Sequence, residues 1–499
     1  MRIDPGGGGP TVVTPTAQTR APVADKKVDP AVDRTVQATR MGPEPEHAAA
    51  YQISQTLADK SLTQAEKDEY IARLVQKADD PDDKTAKAIT GAFEDIGTAW
   101  SGAETKDLRS QVTTAIGREV NAGRLTGDDL YALVDPAKNP GSDGARQLLT
   151  TVASGPALNR VADRLLGAAK SEGYDINKYQ NGPQTLAAAA DVANMAASYG
   201  ATASATAITQ EIGNQMNKGP VAGDMTLVQA IMATTLDSSP YGGTVEGRTG
   251  FDALSGLINS ADTSIPSVQK TTDSLFATLV RSGDDDYAGG LDQGGNRAGA
   301  LYGLDSYFSG NVSRLSENGW RYDSAGSQYE NLVQDFTGKV LLDPANPGAD
   351  FATDAITGEM NRLATTVNDP KASENDRNAA AQGLGEIVGS VKGGANDAYA
   401  HLKADNDAKI GAIRFFTDKI TDKIADFAGP LSDAVKAGID AGWSAASKAA
   451  DGKAQSDVDK ATKGITDLAN GLRINIGKMG DNALIAAYDQ RFVEHAPDK

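Results

Sequence analysis

From Ala48 onward, the apolar residues of this chain recur every three or four positions. This is the period of an amphipathic helix, whereas a half-buried strand would alternate every second residue. Short segments rich in Gly, Asn and Asp separate the apolar groups. The first three groups are Tyr70, Ile71, Leu74 and Val75, then Ile89, Phe93, Ile96 and Trp100, then Leu108, Val112, Ile116 and Val120. The pattern predicts an all-α protein made of antiparallel helical arrays or bundles.

Two segments show the helical pattern most clearly. Thr63 is followed three residues later by Glu66, the spacing of a capping box, which predicts a helix start there. Near the other end, an apolar stripe from Ile410 to Phe427 keeps spacings of three and four residues until Gly429-Pro430 interrupts it. Such a stripe either packs on the body of its own domain or serves as a docking face for another protein.

The N-terminal segment has a different composition. Residues 1–46 contain seven of the 20 prolines, a run of glycines at 6–9 and no aromatic residue, and their acidic and basic side chains balance. A segment of this kind buries too little apolar surface to offset the entropy lost on ordering. We therefore predict a disordered arm over residues 1–47.

Longer breaks in the helical pattern suggest how the rest of the chain is divided. We predict helical domains at 48–144, at 145–240 (rich in Ala) and at 250–400 (with an aromatic-rich segment), followed by C-terminal amphipathic helices at 401–499. Two of the breaks, at 135–141 and 343–348, share the pattern Asp-Pro-Ala with Asn-Pro-Gly after it. They either mark a duplicated helical unit or reflect common turn chemistry before a helix.

Composition excludes several classes of function. The chain has no cysteine, which excludes disulfides, thiolate nucleophiles and iron–sulfur clusters, and only three histidines. Its 48 basic and 67 acidic residues give a net charge of −19, which repels phosphate backbones, so no nucleic-acid partner is predicted. No phosphate loop, dinucleotide fingerprint or other cofactor motif is present, and none of the apolar stretches is long enough for a membrane span. We expect a soluble protein without a cleaved signal peptide.

The aromatic-rich segment is one candidate for chemistry. Six aromatic side chains fall within 28 residues: Tyr302, Tyr307, Phe308, Trp320, Tyr322 and Tyr329. Interspersed carboxylates offer acid and base candidates for a carboxylate-based hydrolase acting on a cell wall or glycan, with catalytic residues drawn from Asp305, Glu317, Asp323 and Glu330. The alternative is that the aromatic residues simply pack a loop onto neighbouring helices.

A second candidate lies further along the chain. Asp397, His401 and Asp405 stand at i, i+4 and i+8, which places them along one face of a predicted helix. Such a row offers ligands for a divalent metal. The alternative is a solvated helix face with favourable Asp–His pairs.

Two stretches, 336–365 and 375–405, resemble helical modules in secreted effector proteins of Gram-negative bacteria. In such effectors a polar disordered N-terminus leads into an acidic, cysteine-free helical body. The resemblance implies export by a specialised secretion machine, a possible secretion chaperone or apparatus as partner, and action on another cell, and it carries over no catalytic residue. We therefore expect a secreted effector that works as a protein-binding helical module. The alternatives are the hydrolase, a structural component of a secretion or injection apparatus, and a protein that stays in the cytoplasm.

Overall fold

The computed structural model describes residues 27–40, 44–79, 83–98, 103–138, 143–178, 180–216, 218–221, 225–234, 236, 249–282, 297–317, 321–323, 329–343, 345–401, 465–466, 468–474, 476–477 and 482–495. The helices are α1 Val28–Ala38, α2 Pro45–Ala58, α3 Gln64–Lys77, α4 Asp83–Gly97, α5 Ala103–Asn121, α6 Gly127–Val134, α7 Asp143–Gln147, α8 Gly155–Glu172, α9 Gly182–Ser198, α10 Ala203–Met216, α11 Leu227–Met232, α12 Gly250–Ser260, α13 Pro266–Arg281, α14 Arg297–Glu317, α15 Leu332–Phe336, α16 Ala349–Asn368, α17 Glu374–His401 and α18 Asn482–His495. A 3₁₀ turn covers Ile176–Lys178, and a π-helical turn covers Thr337–Leu341.

The prediction of an all-α protein is confirmed. The described residues also contain a small antiparallel pair of strands that the helical pattern did not predict. The two three-residue strands are β1 Arg321–Asp323 and β2 Tyr329–Asn331. Glu330 of β2 stands opposite Tyr322, and Tyr329 stands opposite Asp323. No helix in the described ranges is both long enough and apolar enough to cross a membrane.

The chain divides into two compact units, Met1–Val161 and Ala162–Lys499, with the boundary inside α8. In the first unit, α2 packs against α1 and α4, and α3 packs against α5. Its core contains Ile53, Tyr70, Ile71, Leu74, Phe93 and Ile116, all fully buried. In the second unit, α9 packs on α12, α14 on α16 and α17 on α16 and α18. The finer division into the segments 48–144, 145–240, 250–400 and 401–499 stays a prediction.

The disordered arm predicted for residues 1–47 ends earlier than expected, because α1 and the start of α2 are helical and packed. Val28 and Ala31 are fully buried, and the Thr35 hydroxyl lies 2.6 Å from the Tyr70 hydroxyl of α3. Pro30 does not break the helix because it lies in the first turn, where the missing amide would have no helical partner. The rest of the predicted arm, residues 1–26, lies outside the described residues.

The capping box predicted at the start of α3 is confirmed. The Glu66 amide donates to the Thr63 hydroxyl, and the Thr63 amide donates to the Glu66 carboxylate at 2.6 Å. The same reciprocal arrangement starts α6, α11 and α12. These helix starts are therefore each specified within four residues of sequence.

The corner between α2 and α3 recurs between α16 and α17, with every matching residue 310 positions later. At both corners, the aspartate after the first helix accepts a bond from the amide two residues on, at 2.8 Å (Asp59 from Ser61, Asp369 from Lys371). At both, a basic side chain near the start of the second helix donates to the carbonyl two residues before that aspartate (Lys67 to Leu57, Arg377 to Val367). The two corners share few residue types, so the resemblance lies in the hydrogen bonds.

The Asp-Pro-Ala turns also share their geometry. The Ala137 amide donates to the Asp135 carboxylate at 3.1 Å, and the Ala345 amide donates to the Asp343 carboxylate at 2.8 Å. Aspartates form this turn readily wherever an amide follows two residues later. The shared geometry fits both common turn chemistry and a duplicated unit, and the duplication stays a prediction.

Candidate functional site

A cavity of about 250 Å³ lies in the first unit, where α2, α4 and α5 meet. Its walls are mostly apolar, with an imidazole and a carboxylate as the charged groups. The lining residues are His47, Ala50, Tyr51 and Ser54 of α2, Asp95 and Ile96 of α4, and Leu108 of α5. Tyr51 is 67% exposed, so an aromatic ring stands in contact with solvent at the cavity. Among the described residues, this is a concave site where apolar and titratable groups converge.

The spacing of residues along α2 explains how one helix supports both the core and the cavity. Ala49, Ile53 and Leu57 are buried against the rest of the unit. The four cavity residues of α2 occur at i, i+3, i+4 and i+7 from His47, which places them on one adjacent face. The buried face therefore holds α2 against the rest of the first unit, and the adjacent face lines the cavity.

Close approach of two helices brings His47 and Asp95 together. A Cβ atom added at Gly91 of α4 would lie only 2.9 Å from the Glu46 Cβ of α2, a distance that real Cβ atoms do not adopt. Glycine at this position therefore lets the two helices approach. His47 follows Glu46, and Asp95 lies one helical turn beyond Gly91, so both side chains reach the cavity.

Carboxylates flank the imidazole on both sides. His47 Nδ1 lies 3.5 Å from the Glu44 carboxylate, and His47 Nε2 lies 3.6 Å from the Asp95 carboxylate. The pKa of Asp95 is raised, mainly because burial disfavours the charged carboxylate. His47 lowers this pKa, whereas the negative charges of Glu46 and Glu44 raise it further. Two carboxylates therefore lie beside one imidazole, and a third, that of Glu46, acts on Asp95 through its charge.

The cavity contains Ser, His and Asp, but their spacing does not form a catalytic triad. Ser54 lies seven residues after His47 on the same helix, which separates the two Cα atoms by roughly 10 Å along the axis. A hydroxyl must lie within about 3 Å of the imidazole for the base to take its proton. The arrangement can bind a molecule but does not activate Ser54.

Among the predicted hydrolase residues, Asp305 is the one whose side chain the structure describes. Asp305 of α14 is only 1% exposed and neither carboxylate oxygen has a hydrogen-bond partner within normal distance. Burial raises the pKa of Asp305 to about 7, although the Asn346 side chain acts in the opposite direction. The carboxylate is packed against Gly348, at the start of α16, so closely that a Cβ there would not fit. Asp305 thus sits in packed protein and not at an open cleft.

The other three candidates are described by backbone alone. Glu317 ends α14, Asp323 lies in β1 and Glu330 lies in β2. In the aromatic segment, Tyr307 and Phe308 belong to the core. Phe308 stacks on Phe336 with ring centroids 4.1 Å apart, and Tyr307 lies 5.1 Å from Phe276. These two rings pack onto neighbouring helices from helix α14, whereas the alternative from the sequence placed the aromatic residues in a loop; Tyr302, on the same helix, is half exposed. The hydrolase stays a prediction.

The predicted metal row is described only in part. Asp397 and His401 lie in the last two turns of α17, and Asp405 lies outside the described residues. No group of three or more metal-ligating side chains occurs within the described ranges. The metal site at Asp397, His401 and Asp405 stays a prediction.

The cavity was not predicted from the sequence, because His47 is the last residue of the predicted arm. One signal was present: His47, Ala50, Tyr51 and Ser54 lie on one face of the helix. The partner residue Asp95 lies 48 positions away, and no local pattern connects the two.

The chain matches no protein-family model and no curated protein. Among solved structures it is similar to the crystal structure of SYS-1, with 11% sequence identity, a TM-score of 0.29, and coverage of 94% of this chain and 87% of that chain. A likeness this low carries no argument about fold or function.

Proposed function

We propose that this chain is a protein-binding helical module and that the cavity at His47 receives one large apolar side chain of a protein partner. The observation that supports this is the pairing of an apolar cavity with the exposed ring of Tyr51. Anchor residues of protein interfaces fill such pockets. Tyr and Trp are enriched among the residues that contribute most of the binding free energy at interfaces. The volume of about 250 Å³ suits one side chain better than a drug-sized molecule, because pockets for such molecules measure about 300–1,000 Å³.

Photo-crosslinking tests this proposal. A benzophenone amino acid replaces Tyr51, whose ring is exposed at the cavity, and the protein is irradiated in the cells where it acts. We expect one dominant adduct that disappears when Leu108→Trp fills the cavity. Tyr199→Ala, which alters an exposed ring of the second unit, is the matched control and should leave the adduct unchanged. An adduct that survives Leu108→Trp, in a variant with unchanged circular dichroism, would refute the docking role of the cavity.

We propose further that the module is a bacterial effector exported by a specialised secretion machine, with the export signal in its N-terminal segment. The resemblance of residues 336–405 to secreted effectors supports this. Because α1 is packed in the first unit, a deletion of residues 2–46 would damage the fold as well as the signal. Deleting residues 2–26 keeps α1 and tests the signal alone. We expect loss of secretion with unchanged intracellular amount, and secretion at the normal level would overturn this part of the proposal.

A further inference from the structure

The charge around the cavity is one-sided. The Glu44 side chain is 70% exposed and the Asp95 side chain 22%, and both face His47. Among the described groups that shift the pKa of Asp95, His47 lowers it, whereas the acidic groups of Glu46 and Glu44 raise it. The polar side of this apolar cavity therefore presents carboxylates that one imidazole does not balance.

We propose that the partner segment carries a Lys or Arg next to its apolar anchor residue, and that this cation pairs with Asp95 and Glu44 while the anchor fills the cavity. This inference rests on the proposed function, because it specifies the partner of the same site. The Asp95 carboxylate is partly removed from water and lies near the negative charges of Glu44 and Glu46, so pairing with a cation stabilises it. A complementary charge at an interface also helps to select the partner.

Other occupants fit the charge less well. An anionic partner, such as an acidic peptide or a phosphorylated segment, would add negative charge beside Glu44, Glu46 and Asp95. A second copy of this chain would bring its own net charge of −19 to the interface. Like charges brought together at an interface oppose association.

Three probes that share a phenethyl group and differ in charge test the inference. They are the phenethylammonium ion, the neutral phenethyl alcohol and the 3-phenylpropionate anion. Each is titrated at millimolar concentration and low ionic strength into the full chain, and the methyl NMR signals of Ile96 and Leu108 are followed. We expect the ammonium probe to bind about fivefold more tightly than the alcohol, the scale of one partly exposed ion pair, and the carboxylate to bind most weakly.

Variants assign the preference to residues. Asp95→Asn and Glu44→Gln should each reduce the ratio of the ammonium probe's affinity to that of the alcohol. Asp262→Asn, an exposed carboxylate of the second unit, is the matched control and should leave all three probes unchanged. The methyl spectrum of each free variant reports whether the first unit keeps its fold.

The outcomes separate this inference from the proposed function. If the three probes bind equally, the cavity is a docking pocket but the basic residue is ruled out. If the ammonium preference persists in both Asp95→Asn and Glu44→Gln, these carboxylates do not select the partner and the inference is wrong. If no probe perturbs Ile96 or Leu108, the cavity admits no apolar group, and the docking role fails together with the inference.

Discussion

The buried carboxyl of Asp305 makes the second unit sensitive to pH in a direction opposite to that of most acidic residues. Its pKa is raised from 3.8 to about 7, because burial disfavours the charged form. Between these two values, the folded protein holds a proton at Asp305 that the unfolded chain has released. The free energy of unfolding therefore falls as the pH rises through this window, and the loss is complete above the folded pKa.

The magnitude follows from the width of the window. From pH 5.5 to a folded pKa of about 7 there are roughly 1.5 pH units, and each unit corresponds to about 1.36 kcal/mol. Asp305 should thus remove about 2 kcal/mol of stability between pH 5.5 and pH 8. Asp305→Asn keeps the shape of the side chain but does not titrate, so the variant should lack this loss.

Urea unfolding followed by circular dichroism at pH 5.5, 6.5, 7.5 and 8.5 measures the effect. The difference in free energy of unfolding between Asp305→Asn and the parent should grow by about 2 kcal/mol across the series. Any effect of the asparagine amide on packing is the same at every pH. It therefore cancels when the pH dependence of the two unfolding free energies is compared instead of their absolute values. Asp262→Asn is the control, because hydrogen bonds from Ser264 lower the pKa of Asp262 and it titrates below this range. Parallel profiles for Asp305→Asn and the parent would refute the reasoning.

Three further substitutions test the packing that the structure describes, each by urea unfolding. Gly91→Ala should destabilise the first unit, because the added Cβ would meet Glu46 and push α2 away from α4. Gly358→Ala, in open space, should instead stabilise the second unit by about 0.5–1 kcal/mol, and equal effects of the two substitutions would contradict the close approach. Thr63→Ala removes a capping box and should cost about 1 kcal/mol, and a change near zero would mean that the cap contributes nothing. Phe308→Ala removes a buried, stacked ring and should cost about 3–5 kcal/mol, whereas a loss below 1 kcal/mol would place this ring outside the core.

The helical architecture could be predicted because its signals are local. Tyr70, Ile71, Leu74 and Val75 mark the buried face of α3, and the structure buries all four. Thr63 and Glu66 fixed the start of that helix because a cap needs only residues within one turn. Disorder was predicted wrongly for the residues of α1, because the prediction relied on the high proline content of the segment. The spacing of Val28, Ala31 and Val32, which lie on one helical face, indicated a helix instead.

The candidate site could not be predicted in the same way, because it depends on contacts between distant segments. The close approach of α2 and α4 depends on Gly91. From the sequence alone, a glycine within a helical pattern does not show which other helix packs against it. Tyr307 and Phe308 show the same limit. Phe276 and Phe336, outside the aromatic segment, complete the buried cluster around them.

The corners that begin at Asp59 and Asp369 each close their hydrogen bonds within about a dozen consecutive residues. A chain reversal encoded over so short a stretch requires little loop closure, and structures rich in such local contacts reach their native state rapidly. A polypeptide threaded in extended form through a narrow channel would recover these reversals on the far side without waiting for its remote segments to meet.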